Sequence, residues 1–84
     1  MYAVRYRIIA EHHTADLYSW HGDGGSNMTL DPGSRETAPR FSWKQAIEQV
    51  EVIRERLVDQ CGYEALEVQI CDGQSWRLKK RFRF

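Results

Sequence analysis

The chain has 84 residues, 29% of them charged, and its twelve basic and twelve acidic side chains cancel to a formal net charge of zero. That length allows a single domain, 1–84, whose core lies near the lower limit for unaided folding, with little volume for an enclosed active site; this argues against an enzyme. Zero net charge excludes bulk attraction to nucleic acid, and no run approaches the roughly 20 apolar residues that span a bilayer, so a soluble chain with no membrane partner is expected.

Tyr2, Val4, Tyr6, Ile8 and Ala10 alternate with Ala3, Arg5, Arg7 and Ile9, the period of two of a strand with one covered face. Glu11 to Thr14 is polar and turn-like, and Ala15 to Trp20 reads as a second strand that either pairs back as a hairpin or continues to Asn27 to Leu30. The segment from His21 to Arg40 holds four of the six glycines and both prolines. It reads as a long loop, 21–40, with Asp31-Pro32-Gly33 forming a type II turn, and is expected to be locally mobile and cut first by trypsin near Arg35 or Arg40.

Phe41 to Gly62 is the one stretch whose start, period and stop agree. Ser42 suits the N-cap and Gln45 can complete a capping box. Trp43, Ala46, Ile47, Val50, Ile53, Leu57 and Cys61 recur at helical spacing and predict a buried stripe. Gly62 supplies a left-handed stop, with Tyr63 folding back on Val58. After it, Leu66, Val68 and Ile70 alternate with Glu67, Gln69 and Cys71; Asp72-Gly73 supplies a hairpin turn; and Trp76 to Phe84 alternates again. The fold class expected is α+β: a small antiparallel sheet of three or four strands with one amphipathic helix on one face, in the order β(β)αββ.

Charge is unevenly spread. Met1 to Ala10 has two arginines and no acid, and Trp76 to Phe84 has five cations and no acid, so the middle is net negative. In a regular last strand, Trp76, Leu78, Lys80, Phe82 and Phe84 share the helix face, while Arg77, Lys79, Arg81 and Arg83 share the other. Arg5 and Arg7 of the first strand join them to give a patch of up to six cations. Such a face can bind phosphates through counterion release, meet an acidic protein surface, or simply keep a sheet solvated and non-adhesive. The aromatics alternate to the buried side, which does not support a base-stacking platform. Trp43 and Trp76 have places on the covered face; Trp20, beside the loop, is a candidate interface anchor or core filler.

His12, His13, Asp16, His21 and Asp23 offer metal-ligand types in a spacing that matches no zinc pattern, so solvated histidines are expected, with no metal and no cofactor. Ser19, His21 and Asp23 make a catalytic triad only on paper, and Gly22-Asp23-Gly24-Gly25-Ser26 is neither GxGxxG nor a P-loop. Cys61 and Cys71 lack CxxC spacing. They read as reduced thiols of an intracellular, cytoplasmic protein, Cys61 in the core, with a disulfide between them as the alternative.

The opening strand Tyr2 to Ala10, the capped helix Ser42 to Gly62 and the closing hairpin Leu66 to Phe84 together resemble small phage-encoded accessory proteins, and among those the anti-CRISPR proteins. The resemblance is one of size and organisation, and that class shares no motif by which a functional residue could be carried over. It implies a protein that docks stoichiometrically on a bacterial CRISPR effector complex and blocks nucleic-acid binding or nuclease recruitment. The alternative function is a small nucleic-acid-binding accessory domain using the basic face. Under the first reading, partner contacts are expected at Arg5, Arg7, Arg77, Lys79, Arg81, Arg83 and Trp20.

Overall fold

The computed structural model describes residues 1–9, 19–21, 32–33 and 38–84. Three strands carry the architecture: β1 (Tyr2–Ile9), β4 (Ala65–Asp72) and β5 (Leu78–Arg83). Two short strands, β2 (Ser19–His21) and β3 (Pro32–Gly33), extend the sheet beyond β1. The order across the sheet is β3-β2-β1-β4-β5, with every pairing antiparallel. Helix α1 (Trp43–Arg54) lies on one face, so the chain is a small α+β domain. The expected helix-on-sheet arrangement holds, with β3 as an added strand: Pro32-Gly33 pairs with Trp20 and His21 where a type II turn is expected.

Alternation in β1 and β4 explains the core. Val4 and Tyr6 of β1 and Leu66, Val68 and Ile70 of β4 are buried against Ala46, Val50, Ile53 and Leu57, with Tyr2, Ile8, Ile47, Val58 and Phe82 packed at the margin. Strand β4 is central and buried along six consecutive residues, which include the polar Glu67 and Gln69. Tyr2 exchanges backbone hydrogen bonds of 2.8 and 2.7 Å with Phe41, tying the entry of α1 to the start of β1.

The capping box forms as the sequence predicts. Ser42 Oγ accepts from Gln45 N at 3.2 Å, and Gln45 Oε1 accepts from Ser42 N at 3.1 Å. The helix then widens into a π-helical segment, Glu55–Gln60. There Cys61 N donates to Arg56 O at 2.9 Å, five residues back, and Tyr63 N donates to Leu57 O at 3.0 Å, six back. Gly62 does adopt the left-handed region, at φ 79°, but the stop is a Schellman-like pair stretched by the wider turn. Widening takes the last residues off the 3.6-residue stripe, so Cys61 is exposed instead of buried. Trp43 is also largely outside the core, 41% exposed, with its ring edge-on to Tyr2 at 5.1 Å. Tyr63 is exposed as well, at 42%. The π turn also brings Asp59 beneath Arg54, giving an ion pair of 3.2 Å between residues five apart, alongside the 3.1 Å pair with Glu51.

The β4–β5 connection is longer than a two-residue hairpin. Asp72 Oδ1 accepts from Gln74 N and Ser75 N, both at 2.8 Å, and Asp72 O accepts from Trp76 N at 3.0 Å. The backbone donors of Ser75 and then Gln74 hold the Asp72 carboxyl below its ordinary range. Gly73 serves close approach, not a positive φ: a Cβ there would lie 2.6 Å from Arg40 Cδ and 2.9 Å from Met1 O. Positive φ falls on Trp76, at 62°, an unusual place for a bulky residue.

Candidate functional site

The face of the sheet away from α1 carries a polar cluster assembled from three strands. Register sets it: Arg7 opposes Glu67, Glu67 opposes Arg83, and Gln69 lies between Arg5 and Arg81. Glu67 is fully buried. Its Oε2 meets Arg7 Nε at 3.2 Å and accepts from Gln69 Nε2 at 3.2 Å; its Oε1 meets Arg83 Nε at 3.0 Å and Arg81 Nε at 3.4 Å. Arg5 Nε donates to Gln69 Oε1 at 2.7 Å, which extends the network across β1 and β4.

One carboxylate among three guanidinium groups neutralises one charge of three. It also gathers the arginines: Arg83 Nε donates to Glu67 Oε1, while Arg7 and Arg81 are drawn to the carboxylate as ion pairs. The side chains remain 25% (Arg7), 48% (Arg81) and 64% (Arg83) exposed. The arrangement is a net-positive patch whose cations are already gathered by folding, which favours docking of carboxylates or phosphates.

Beside it runs an aromatic and cationic ladder. Trp20 opposes Arg5, whose guanidinium lies 5.5 Å from the Trp20 ring centroid. Trp76 packs edge-on to Trp20 at 5.2 Å, and Arg40 lies 4.5 Å over Trp76. Arg40 also donates to Gly73 O at 3.0 Å and to Ala38 O. The end of the 21–40 segment, Ala38 to Arg40, is therefore packed, which runs against Arg40 as an early cleavage site. Apart from the backbone of His21, Pro32 and Gly33, the rest of that segment lies outside the described residues, as do Arg35, His12, His13, Asp16 and Asp23.

The predicted site residues separate into two groups. Arg5, Arg7, Arg81, Arg83 and Trp20 come together on this face. Arg77 and Lys79 do not continue the row, because a β-bulge lies between Ile70 and Cys71: Lys80 opposes Ile70 while Leu78 opposes Cys71, leaving Lys79 as the extra residue. Leu78 thereby shares the face of Cys71, and Trp76 packs edge-on to Trp20, so neither joins Phe82 on the helix side. Arg77 falls in the connection before β5, its carbonyl accepting from Asp72 N at 2.8 Å.

Cys61 and Cys71 are both free, so no disulfide joins them; Cys71 is buried, and that burial raises its thiol pKa. Among the described residues no group of His, Cys, Asp and Glu is placed to hold a metal, and no helix is long and apolar enough to cross a membrane. Sequence reading missed Glu67, Gln69 and Arg40, since alternation assigns the first two to solvent. No family model, curated protein or solved structure matches the chain.

Proposed function

We propose that this chain is a non-enzymatic binding protein that docks an acidic surface of a protein partner on the arginine face of its sheet. The observation that carries the reading is the buried Glu67 of β4 gathering Arg7 of β1 and Arg81 and Arg83 of β5. A solvated face meant only to repel neighbours gains nothing from a buried carboxylate that fixes its cations, whereas a docking face gains a preorganised set of donors. Protein is favoured over nucleic acid because the two tryptophans present no open ring stack: they pack edge to face, with Arg5 and Arg40 over them, which occupies the surfaces a base would use.

On the resemblance in size and organisation to anti-CRISPR proteins, the first partner to test is a bacterial CRISPR effector complex, which would place the protein in the cytoplasm of the host. The experiment is capture of purified effector complexes on the immobilised chain, with Arg81→Gln/Arg83→Gln as the comparison, plus titration of the free chain with duplex DNA. Docking through the face predicts capture by the parent, loss in the double variant and little DNA binding. Binding to arbitrary DNA with a log–log salt slope of about 0.9 per neutralised phosphate would assign the face to nucleic acid instead. Capture that is undiminished in the double variant would remove the face from the site.

A further inference from the structure

We infer that β5 is a docking edge that takes an acidic, extended segment of a partner as a sixth, antiparallel strand. The inference draws on the reading above only for the sign of the partner's charge; it uses backbone groups that face docking leaves untouched.

Strand β5 ends the sheet, with β4 on one side and no strand on the other among the described residues. Five of its six residues are exposed and Phe82 is half-buried. Phe84 and Leu66 exchange both backbone hydrogen bonds, at 2.9 and 3.0 Å. In an antiparallel ladder such pairs recur at every second residue. With Val68 opposite Phe82 and Ile70 opposite Lys80, the peptide groups of Phe82 and Lys80 face β4, and those of Arg81 and Arg83 face outward. Among the described residues those outward groups form a short row of donors and acceptors with no strand beside them, bounded at the Lys79 end by the bulge.

Side chains decide the occupant. Arg81 and Arg83 lie on one face of this edge, and Lys80 and Phe82 lie on the other. A second copy paired edge to edge would set these cations against one another, which is destabilising and a recognised way to block self-association. An incoming antiparallel strand with Glu opposite Arg83, an apolar residue opposite Phe82, and Glu opposite both Arg81 and Lys80 meets every one with its complement. Strand addition of this kind takes affinity from main-chain bonds and selectivity from alternating side chains.

The test uses the whole chain, labelled with nitrogen-15, and the capped peptide Thr-Glu-Val-Glu-Glu-Thr, with Thr-Lys-Val-Lys-Lys-Thr as the charge-reversed control. The acidic peptide is expected to slow amide exchange at Arg81 and Arg83 in step with occupancy, leaving Lys80 and Phe82 unchanged; the basic peptide should do neither. Arg81→Pro removes an outward N–H without breaking a bond to β4. It should therefore bind the acidic peptide about fivefold more weakly than Arg81→Ala, the factor for one hydrogen bond of about 1 kcal/mol. Equal affinity of Pro and Ala variants, or side-chain shifts without slowed exchange at Arg81 and Arg83, would reduce the contact to simple ion pairing and overturn strand addition. Concentration-dependent protection without peptide would assign the edge to a second copy and overturn it too, as would no binding. If exchange slows as expected while effector capture fails, the edge stands and the face reading falls; capture without slowed exchange gives the reverse.

Discussion

Replacing Glu67 by Gln removes the charge that holds three arginines while nearly preserving volume, so it isolates the electrostatic role of the buried carboxylate. Exposed ion pairs contribute about 0.2–1 kcal/mol each, whereas stripping one partner from a fully buried pair costs about 3–5 kcal/mol. Glu67 is an intermediate case: its acceptor oxygens are buried, but the donors keep 25%, 48% and 64% side-chain exposure and can rehydrate. The expected loss is about 2–4 kcal/mol, a large fraction of the stability of a domain this small. Arg83→Gln alone should cost under about 1 kcal/mol, because Arg7 and Arg81 still hold the carboxylate. In the Glu67→Gln background the same change should be neutral or stabilising, since it then removes one of three uncompensated like charges. Urea unfolding of the four proteins at pH 7, followed by circular dichroism, closes this double-mutant cycle. A Glu67→Gln protein within about 0.5 kcal/mol of the parent, or an additive cycle, would refute the claim that the carboxylate organises the face.

Three further outcomes follow from packing. Ile53, fully buried between α1 and the sheet, should cost about 2–5 kcal/mol as Ile53→Ala in the same melts, whereas Glu51→Ala, which breaks only an exposed pair with Arg54, should cost under about 0.5. Gly62→Asn should be tolerated to within about 0.5 kcal/mol because Asn accepts the left-handed region, while Gly73→Asn should cost about 1–3 through the clash with Met1 O and Arg40; comparable melting curves for the two would contradict these separate roles. One thiol, Cys61, should react quickly with a disulfide reagent in the folded protein and Cys71 only on unfolding, since one is exposed and the other buried with a raised pKa; two equally fast thiols would show that the Cys71 site opens.

What could be read from the sequence was whatever depends on neighbours along the chain. The Ser42 and Gln45 cap, the stripe at Ala46, Val50, Ile53 and Leu57, and the alternation of Val4 and Tyr6 with arginines are all local, and all hold. Trp43, at the open end of that stripe, stays largely exposed; two other departures come from one residue of slippage. The π turn swings Cys61 outward, and the bulge opposite Cys71 turns Leu78 and Trp76 away from the helix side and detaches Arg77 from the arginine row. Neither irregularity leaves a mark in apolar periodicity, because each is set by hydrogen bonds that widen a turn or double a residue against a partner strand.

Glu67 was hidden for a different reason. Alternation in Leu66-Glu67-Val68-Gln69-Ile70 separates the two faces correctly, but nothing local says that the polar face would be buried. That follows only from strand order, once β4 is placed between two strands that both carry arginines on that face. Position then decides what composition becomes: of the five arginines and lysines in the last nine residues, Arg81 and Arg83 are gathered into the cluster because Gln69 and Glu67 lie opposite them. Had β4 been an edge strand, Glu67 would have been hydrated and the arginines left mobile. Because β5 is the edge among the described residues, the cluster instead borders outward peptide groups, so Arg81 and Arg83 present both their cations and their backbone at the same edge, the combination on which the proposed strand addition rests.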